Sequence, residues 1–143
     1  RDLDDLIREA DAITVHVPSN DETRHLFGEA EFRAMKATAV FVNTARGPIV
    51  DEAALARALR EGKIFAAGLD VYEREPEVHP DLLELENVVL APHLGSATIE
   101  TRTAMGMLAA RNLLDALAGR TPVAVVNPEV VAPQPRERPG SGP

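Results

Sequence analysis

The sequence contains no cysteine. Disulfides, thiol catalysis and cysteine-ligated zinc or iron–sulfur sites are therefore excluded. It contains no run of about 18 apolar residues, the length that a membrane-crossing helix needs. Positive charge is in deficit: 15 Lys and Arg face 23 Asp and Glu, a formal net charge of −8. A nucleic-acid or anionic-membrane surface needs a basic patch, so this balance argues against both. The N-terminus has no signal-peptide pattern. It also has no Met; Arg1 opens the chain, which reads as a cut or processed start. No internal repeat is visible. What is present is a core-forming composition, 45% apolar over 143 residues. That suits a single globular domain burying roughly 70% of its unfolded surface.

Helical and extended segments alternate, which predicts an α/β domain. Leu3 to Ala10 reads as a helix with Leu3, Leu6 and Ile7 on one face. Ile13 to Val17 reads as a strand ended by Pro18, and Ser19 to Thr23 as a polar loop. Glu29 to Lys36 is a short helix, with Phe32 and Met35 at helical spacing. Ala39 to Asn43 is a second strand. Its nearly continuous apolar run suits a strand buried on both faces of a parallel sheet. Asp51 is placed to cap a helix over Glu52 to Glu61, with Gly62 as its stop. Ile64 to Val71 is a third strand, followed by a carboxylate-rich loop containing Pro76 and Pro80. Asn87 to Ala91 is a fourth, closed by Pro92. The longest helix runs from about Thr98 to Ala118 and ends at Gly119, with Met105, Leu108, Ala109 and Leu113 marking its buried face. The chain beyond Asn127 is Pro-rich and polar, and its last part reads as a disordered tail.

Short β-loop-α units imply a parallel sheet, whose ligands bind beyond the carboxyl ends of the strands. Three candidates sit at such ends. Arg46, before Gly47, would project a guanidinium fork suited to a carboxylate. It reads equally well as a surface arginine paired with Asp51 or Glu52. Glu75, biased to an extended backbone by Pro76, reads on its own as a solvated loop carboxylate. His93 lies between the fourth strand and a long helix, and a lone histidine is more often structural than catalytic. His16, His25 and His79 are weaker candidates still. As a set, one Arg, one Glu and one His share a rim of the sheet. A carboxylate neighbour favours a protonated imidazole, and an arginine beside it would hold a 2-oxo acid. That is the acid half of a carbonyl reduction, whose hydride a cofactor must supply.

These residues bring a family into view. The sequence resembles the D-isomer-specific 2-hydroxyacid dehydrogenases. The likeness rests on His16-Val17-Pro18 with Thr23, Asn43-Thr44-Ala45-Arg46-Gly47, Gly68-Leu69-Asp70-Val71, Glu75-Pro76 and Pro92-His93-Leu94-Gly95-Ser96. It spans about Leu3 to Pro128. The run from Glu75 to Pro80, the segment Pro92 to Thr98 and the ending Val126-Asn127-Pro128-Glu129 are most similar to the glyoxylate and hydroxypyruvate reductase branch. One departure is Ser19-Asn20, where the family more often has Leu-Thr.

The resemblance implies the C-terminal half of a doubly wound, Rossmann-type NAD-binding domain over residues 1–97. Residues 98–128 would be a long helix and return segment to a substrate domain, and 129–143 the Pro-rich tail. It implies hydride transfer between NAD or NADP and a small 2-oxo acid, giving the D-2-hydroxy acid. Arg46 would bind the substrate carboxylate and carbonyl oxygen. His93 would donate the proton, and Glu75 would hydrogen-bond His93 and hold it as a donor. Asp70 would hold the nicotinamide carboxamide. Val17, Pro18, Thr44, Ala45, Arg46, His93 and Gly95 would line the nicotinamide half of the cofactor site, and Thr23 would reach the ribose or phosphate. No metal is implied. A cytoplasmic homodimer is implied for the full-length parent.

The family's fingerprint G-x-G-x-x-G occurs nowhere in the chain. The residue that separates NAD from NADP is missing with it. The chain is thus expected to be a C-terminal piece of a longer enzyme, inactive alone, with an exposed strand edge and an exposed long helix. Other readings on the same scaffold are a D-3-phosphoglycerate dehydrogenase-like enzyme, a nucleotide-sensing module like the C-terminal-binding-protein corepressors, and an inactive remnant.

Overall fold

A computed structural model describes residues 2–130. The rest of the expected tail, 131–143, lies outside the described residues. The chain divides into two compact units, one running to Ser96 and the other starting at Ala97.

The first unit holds one parallel sheet of four strands: β1 (Ala12–Val15), β2 (Val40–Asn43), β3 (Ala66–Leu69) and β4 (Val88–Leu90). Their order in space is their order in sequence. A sheet that winds in one direction through right-handed crossovers carries its connecting helices on one face. The helices are α1 (Leu3–Glu9) before β1, then α2 (Glu29–Ala34), α3 (Glu52–Arg60) and α4 (Pro80–Leu83) between strands. Register aligns Ile13 with Phe41 and Ala67, and Val15 with Asn43 and Leu69. All six are buried. The Phe41 ring is the centre of this core, 4.9 Å from Phe27 and 5.2 Å from Phe32 between centroids.

The opposite face corrects an expectation. The apolar run of β2 suggested burial on both sides, yet Val40 and Val42 on its second face are only half-buried. On the outer strands Ala12 and Thr14 are exposed and Val89 is 72% exposed. Winding in a single direction explains it: the crossover helices cover one side only. The sheet is one half of a doubly wound arrangement.

Local chemistry sets the ends of the helices. Asp51 caps α3 by accepting the Ala54 N–H at 2.9 Å. Beyond α3, Gly62 takes φ +64°, and the Lys63 N–H reaches the Ala58 carbonyl at 2.8 Å. This is the left-handed stop that glycine provides at least steric cost. The strands are shorter than their apolar runs. Ile64 and Val71 are buried outside the ladder of β3, so the run continues where pairing does not. In the loop after β3, sequence reading found no helix, yet Pro80 opens α4 and His79 Nδ1 accepts the Asp81 N–H at 3.3 Å. Proline at the first helical position was the available signal.

The second unit is built on α5 (Ile99–Leu117), capped by Thr98 and stopped at Gly119, φ +69°. The return segment is tied to it by Asn112 Oδ1, which accepts the Val123 and Ala124 N–H groups at 3.1 and 3.3 Å. No residue of α5 is buried. Met105, Leu108, Ala109 and Leu113, the face that periodicity marks for burial, are all exposed, as the reading of the chain as part of a longer enzyme expects. Helical periodicity shows which side of a helix seeks a partner, not that the partner is present.

Phe41→Ala is expected to lower the unfolding free energy by about 3–5 kcal/mol, the cost of an unfilled core cavity. Met107→Ala, on exposed α5, should change it by about 0.5 kcal/mol or less. Urea titration of both variants checks this; similar losses would mean that Phe41 is not the centre of the core.

Candidate active site

Level strand ends bring three loops to one rim. Beyond β2, the fully buried Asn43 closes a turn on itself. Its Oδ1 accepts the Ala45 N–H at 3.0 Å, and its Nδ2 donates to the Arg46 carbonyl at 2.9 Å. Gly47 follows, lying flat against the peptide between Tyr72 and Glu73. A Cβ there would sit 1.8 Å from the Tyr72 carbonyl carbon, so only glycine fits. Arg46 is held between these two constraints with its side chain exposed. Its Nη1 donates to the Ala45 carbonyl at 2.6 Å. Asp51 and Glu52, the partners that a surface arginine would have taken, bond elsewhere: Asp51 caps α3 and Glu52 accepts the Glu73 N–H.

Asp70, just past β3, is buried rather than solvated. Its two oxygens accept the Leu94 N–H at 2.6 Å and the Gly95 N–H at 2.9 Å. Its own N–H donates to the Asn43 carbonyl at 3.0 Å. One residue thus ties the loop after β4, through its carboxylate, to the end of β3 and, through its backbone N–H, to that of β2.

That loop carries His93, whose Nδ1 lies 2.8 Å from Glu75 Oε2. The other Glu75 oxygen accepts the Tyr72 N–H at 3.1 Å. Tyr72 in turn donates its hydroxyl to the Ala91 carbonyl at 2.8 Å. The hydrogen bond from His93 is the main influence on Glu75, holding its carboxyl below the ordinary 4.5. Burial is the next influence and opposes it, while the Tyr72 N–H and the charges of His93 and Arg46 add smaller effects in the lowering direction. An ionised carboxylate only accepts, so the proton of this pair sits on Nδ1 and Nε2 is left for exchange. His93 also has φ +55°, a left-handed backbone that side chains rarely adopt. Such conformations cluster at functional sites.

The remaining residues fall into two groups. Val17, Pro18, Thr44, Ala45 and Arg46 line one open cleft of about 600 Å³ between the ends of β1 and β2. Asp70, His93 and Gly95 gather at the ends of β3 and β4. A smaller cavity of about 310 Å³ lies against Glu75 and His93, walled by Tyr72, Val78 and Leu90. Thr23 does not line the cleft. Its hydroxyl donates to the Pro18 carbonyl at 2.7 Å and accepts the Asn20 N–H at 2.9 Å. Asn20, where the family more often has Thr, closes this turn by accepting the Glu22 and Thr23 N–H groups at 3.0 Å. Among the other histidines, His16 Nε2 meets the Thr14 hydroxyl at 2.9 Å, His25 pairs with Glu73, and His79 caps α4. Sequence reading assigned no separate role to Glu52, Asn43 or Tyr72. A polar residue at the end of an apolar strand was the one visible sign for Asn43.

Residues 1–95 match the family described as D-isomer specific 2-hydroxyacid dehydrogenase, NAD binding domain. The chain belongs to this family. Among D-2-hydroxyacid dehydrogenase relatives, it is 56% identical over 133 residues to a glyoxylate reductase of Aeropyrum pernix. That match covers 92% of this chain and 39% of the relative. It is 52% identical over 130 residues to glyoxylate/hydroxypyruvate reductase B of Escherichia coli, covering 90% and 40%. The structure superposes with a TM-score of 0.77 on an NADPH-dependent glyoxylate/hydroxypyruvate reductase of Sinorhizobium meliloti, solved with NADP and malonate. There the identity is 41%, covering 85% of this chain and 39% of that one. The chain spans about two fifths of the length of the relatives it matches.

The lowered Glu75 value fixes the sign of a pH effect. A carboxylate whose folded value lies below its unfolded one stabilises the fold above the unfolded value. That contribution is lost as pH falls through the folded value. The urea midpoint should therefore separate this chain from Glu75→Gln at neutral pH. The gap should close as pH drops below 4.5. A gap that stays constant down to acid pH would mean that Glu75 is not held as an ion.

Proposed function

We propose that the chain carries the nicotinamide-side half and the proton-donating machinery of an NAD- or NADP-dependent enzyme. Its substrate is a small 2-oxo acid of the glyoxylate or hydroxypyruvate type, reduced to the D-2-hydroxy acid. The observation that carries this reading is the 2.8 Å pair of His93 Nδ1 and Glu75 Oε2 on the same rim as Arg46.

The residues present fit a nicotinamide cofactor. The cleft has apolar walls at Val17, Pro18 and Ala45, suited to a flat ring. Each Asp70 oxygen has one lone pair committed to a backbone N–H and one left to accept a carboxamide N–H. Thr44, Arg46, His93 and Gly95 complete the surround. We assign Thr23 to shaping the Pro18 to Thr23 loop, since its hydroxyl is engaged there. When bound, a reduced nicotinamide supplies the hydride.

Everything else falls to the chain. The Arg46 fork takes the substrate carboxylate, and its charge opposes the negative charge growing on the carbonyl oxygen. His93 hands that oxygen a proton. Glu75, kept ionised, retains the Nδ1 proton and stabilises the ring while it carries charge. In the oxidative direction His93 accepts the proton instead. The malonate in the Sinorhizobium reductase supports a small carboxylate as the ligand class. A cytoplasmic homodimer belongs to this reading through family likeness alone.

The chain has no G-x-G-x-x-G segment to take the pyrophosphate at a helix start. The test is therefore the absorbance decay of NADH and NADPH with glyoxylate and hydroxypyruvate on two proteins. One is this chain; the other is this chain joined behind the preceding segments of a glyoxylate reductase relative. Turnover is expected in the joined protein only. His93→Gln there should lower kcat by about 10²- to 10⁴-fold, the usual worth of a general acid. Undiminished turnover in His93→Gln would sink the assignment.

A further inference from the structure

Glu52 is the first residue of α3 and only 4% exposed. A carboxylate is favourable at a helix start, but this one does not serve its own helix, which Asp51 already caps. It reaches across to the loop after β3. Its Oε1 accepts the Glu73 N–H at 2.7 Å, and its Oε2 accepts the His79 N–H at 3.3 Å. These two amides bracket Glu75. Between them the chain folds back on itself, with the Glu77 N–H on the Arg74 carbonyl at 2.9 Å. The preceding amide, Tyr72 N–H, is the one that Glu75 itself takes. Consecutive backbone donors are thus shared out between two carboxylates, one buried and one at the rim. A third carboxylate, the Glu73 side chain, pairs with His25 on the far side of the same loop.

Burying a carboxylate is unfavourable, and here burial raises the Glu52 carboxyl above its usual value. A glutamine would satisfy only one of the two amides. The arrangement keeps a charge where an apolar residue would pack at lower cost. What it gains is a fixed loop. Glu52 also lies six positions after Arg46 on the segment whose Gly47 rests on the Tyr72–Glu73 peptide. One short stretch therefore presents Arg46 and clamps the loop that carries Glu75.

We propose that Glu52 is a positioning residue for the reduction: it holds the Glu73–His79 loop so that Glu75 stays on His93. This rests on the reading of His93 and Glu75 as the proton-donating pair. Glu52 touches none of the reacting groups and acts only through the loop.

Two readouts test this. The first is amide exchange and the His93 Nδ1 proton signal by NMR, on this chain and on Glu52→Gln. Glu73 and His79 should exchange faster in the variant. Tyr72, which reports Glu75, should also exchange faster, and the Nδ1 signal should broaden. The second is kinetics in the joined protein. There Glu52→Gln should lower kcat about 10-fold or more while KM for hydroxypyruvate moves about twofold or less, as expected when a distant change misplaces a reacting group. Glu52→Asp, which keeps both oxygens, should recover part of kcat. It also carries the same readouts if Glu52→Gln does not fold. Fast exchange at Glu73 and His79 with Tyr72 and the Nδ1 signal unchanged would overturn the proposal, as would an unchanged kcat. A joined protein that is dead with Glu52 in place sinks the enzyme reading, and the exchange data then decide the role of Glu52 alone.

Discussion

Parallel pairing sets Val15, Asn43 and Leu69 level, with Leu90 beside Leu69, so the chain leaves the sheet at one rim after every strand. Each loop therefore begins within a strand spacing or so of its neighbour. The side chains that matter need little reach to meet. Asp70 ties two of these loops together, and Glu75 with His93 ties two again. Slip one strand by a residue and its buried set would turn to solvent while the loop behind it moved off the rim. The register is protected by the rows of Phe41 and Leu69, whose burial is lost by any such slip. Packing and chemistry thus depend on the same alignment.

Much of this was legible in the sequence, for reasons that can be named. Asp51, Thr98, Gly62 and Gly119 mark helix ends because capping and left-handed stops demand those residue types. Arg46, Glu75 and His93 were visible as residues at strand ends, although each alone had an ordinary explanation. Two things were not legible. The first was the open second face of the sheet, whereas the exposure of α5 was expected from the likeness to part of a longer enzyme. An apolar pattern states a preference, and the partner that would satisfy it need not be in the same stretch of chain. The second was the support behind the site. Glu52 and Asn43 act on backbone amides and carbonyls distant in sequence or hidden in a turn, and no local pattern reveals such contacts.

The chain spans about two fifths of its relatives' length and carries open pairing edges and exposed apolar side chains. Among the described residues β1 pairs on one side only, with β2, and β4 on one side only, with β3. Both leave rows of backbone donors and acceptors open, a recognised invitation to further pairing. The apolar side chains of α5 and Val89 add to this. By contrast, the first unit has a complete aromatic and aliphatic centre and satisfied polar atoms: among the described residues no buried side-chain nitrogen or oxygen lacks a partner. The rim residues Arg46, Asp70, Glu75 and His93 belong to this well-built first unit.

The turn at Asn43 also bears on how the protein ages. Its amide nitrogen donates to the Arg46 carbonyl, while its oxygen accepts from Ala45. Asparagine is among the residues that heat and time convert, by loss of ammonia, to an acid. At this position the product would set a carboxylate oxygen against a carbonyl oxygen, turning attraction into repulsion directly beneath Arg46. The side chain is wholly shut off from solvent and held by hydrogen bonds at both ends of its amide, which denies it the freedom to close on the following backbone nitrogen. The same burial that fixes the backbone beneath Arg46 thus acts as a preservative, and opening of this turn is the step that would expose the amide to conversion.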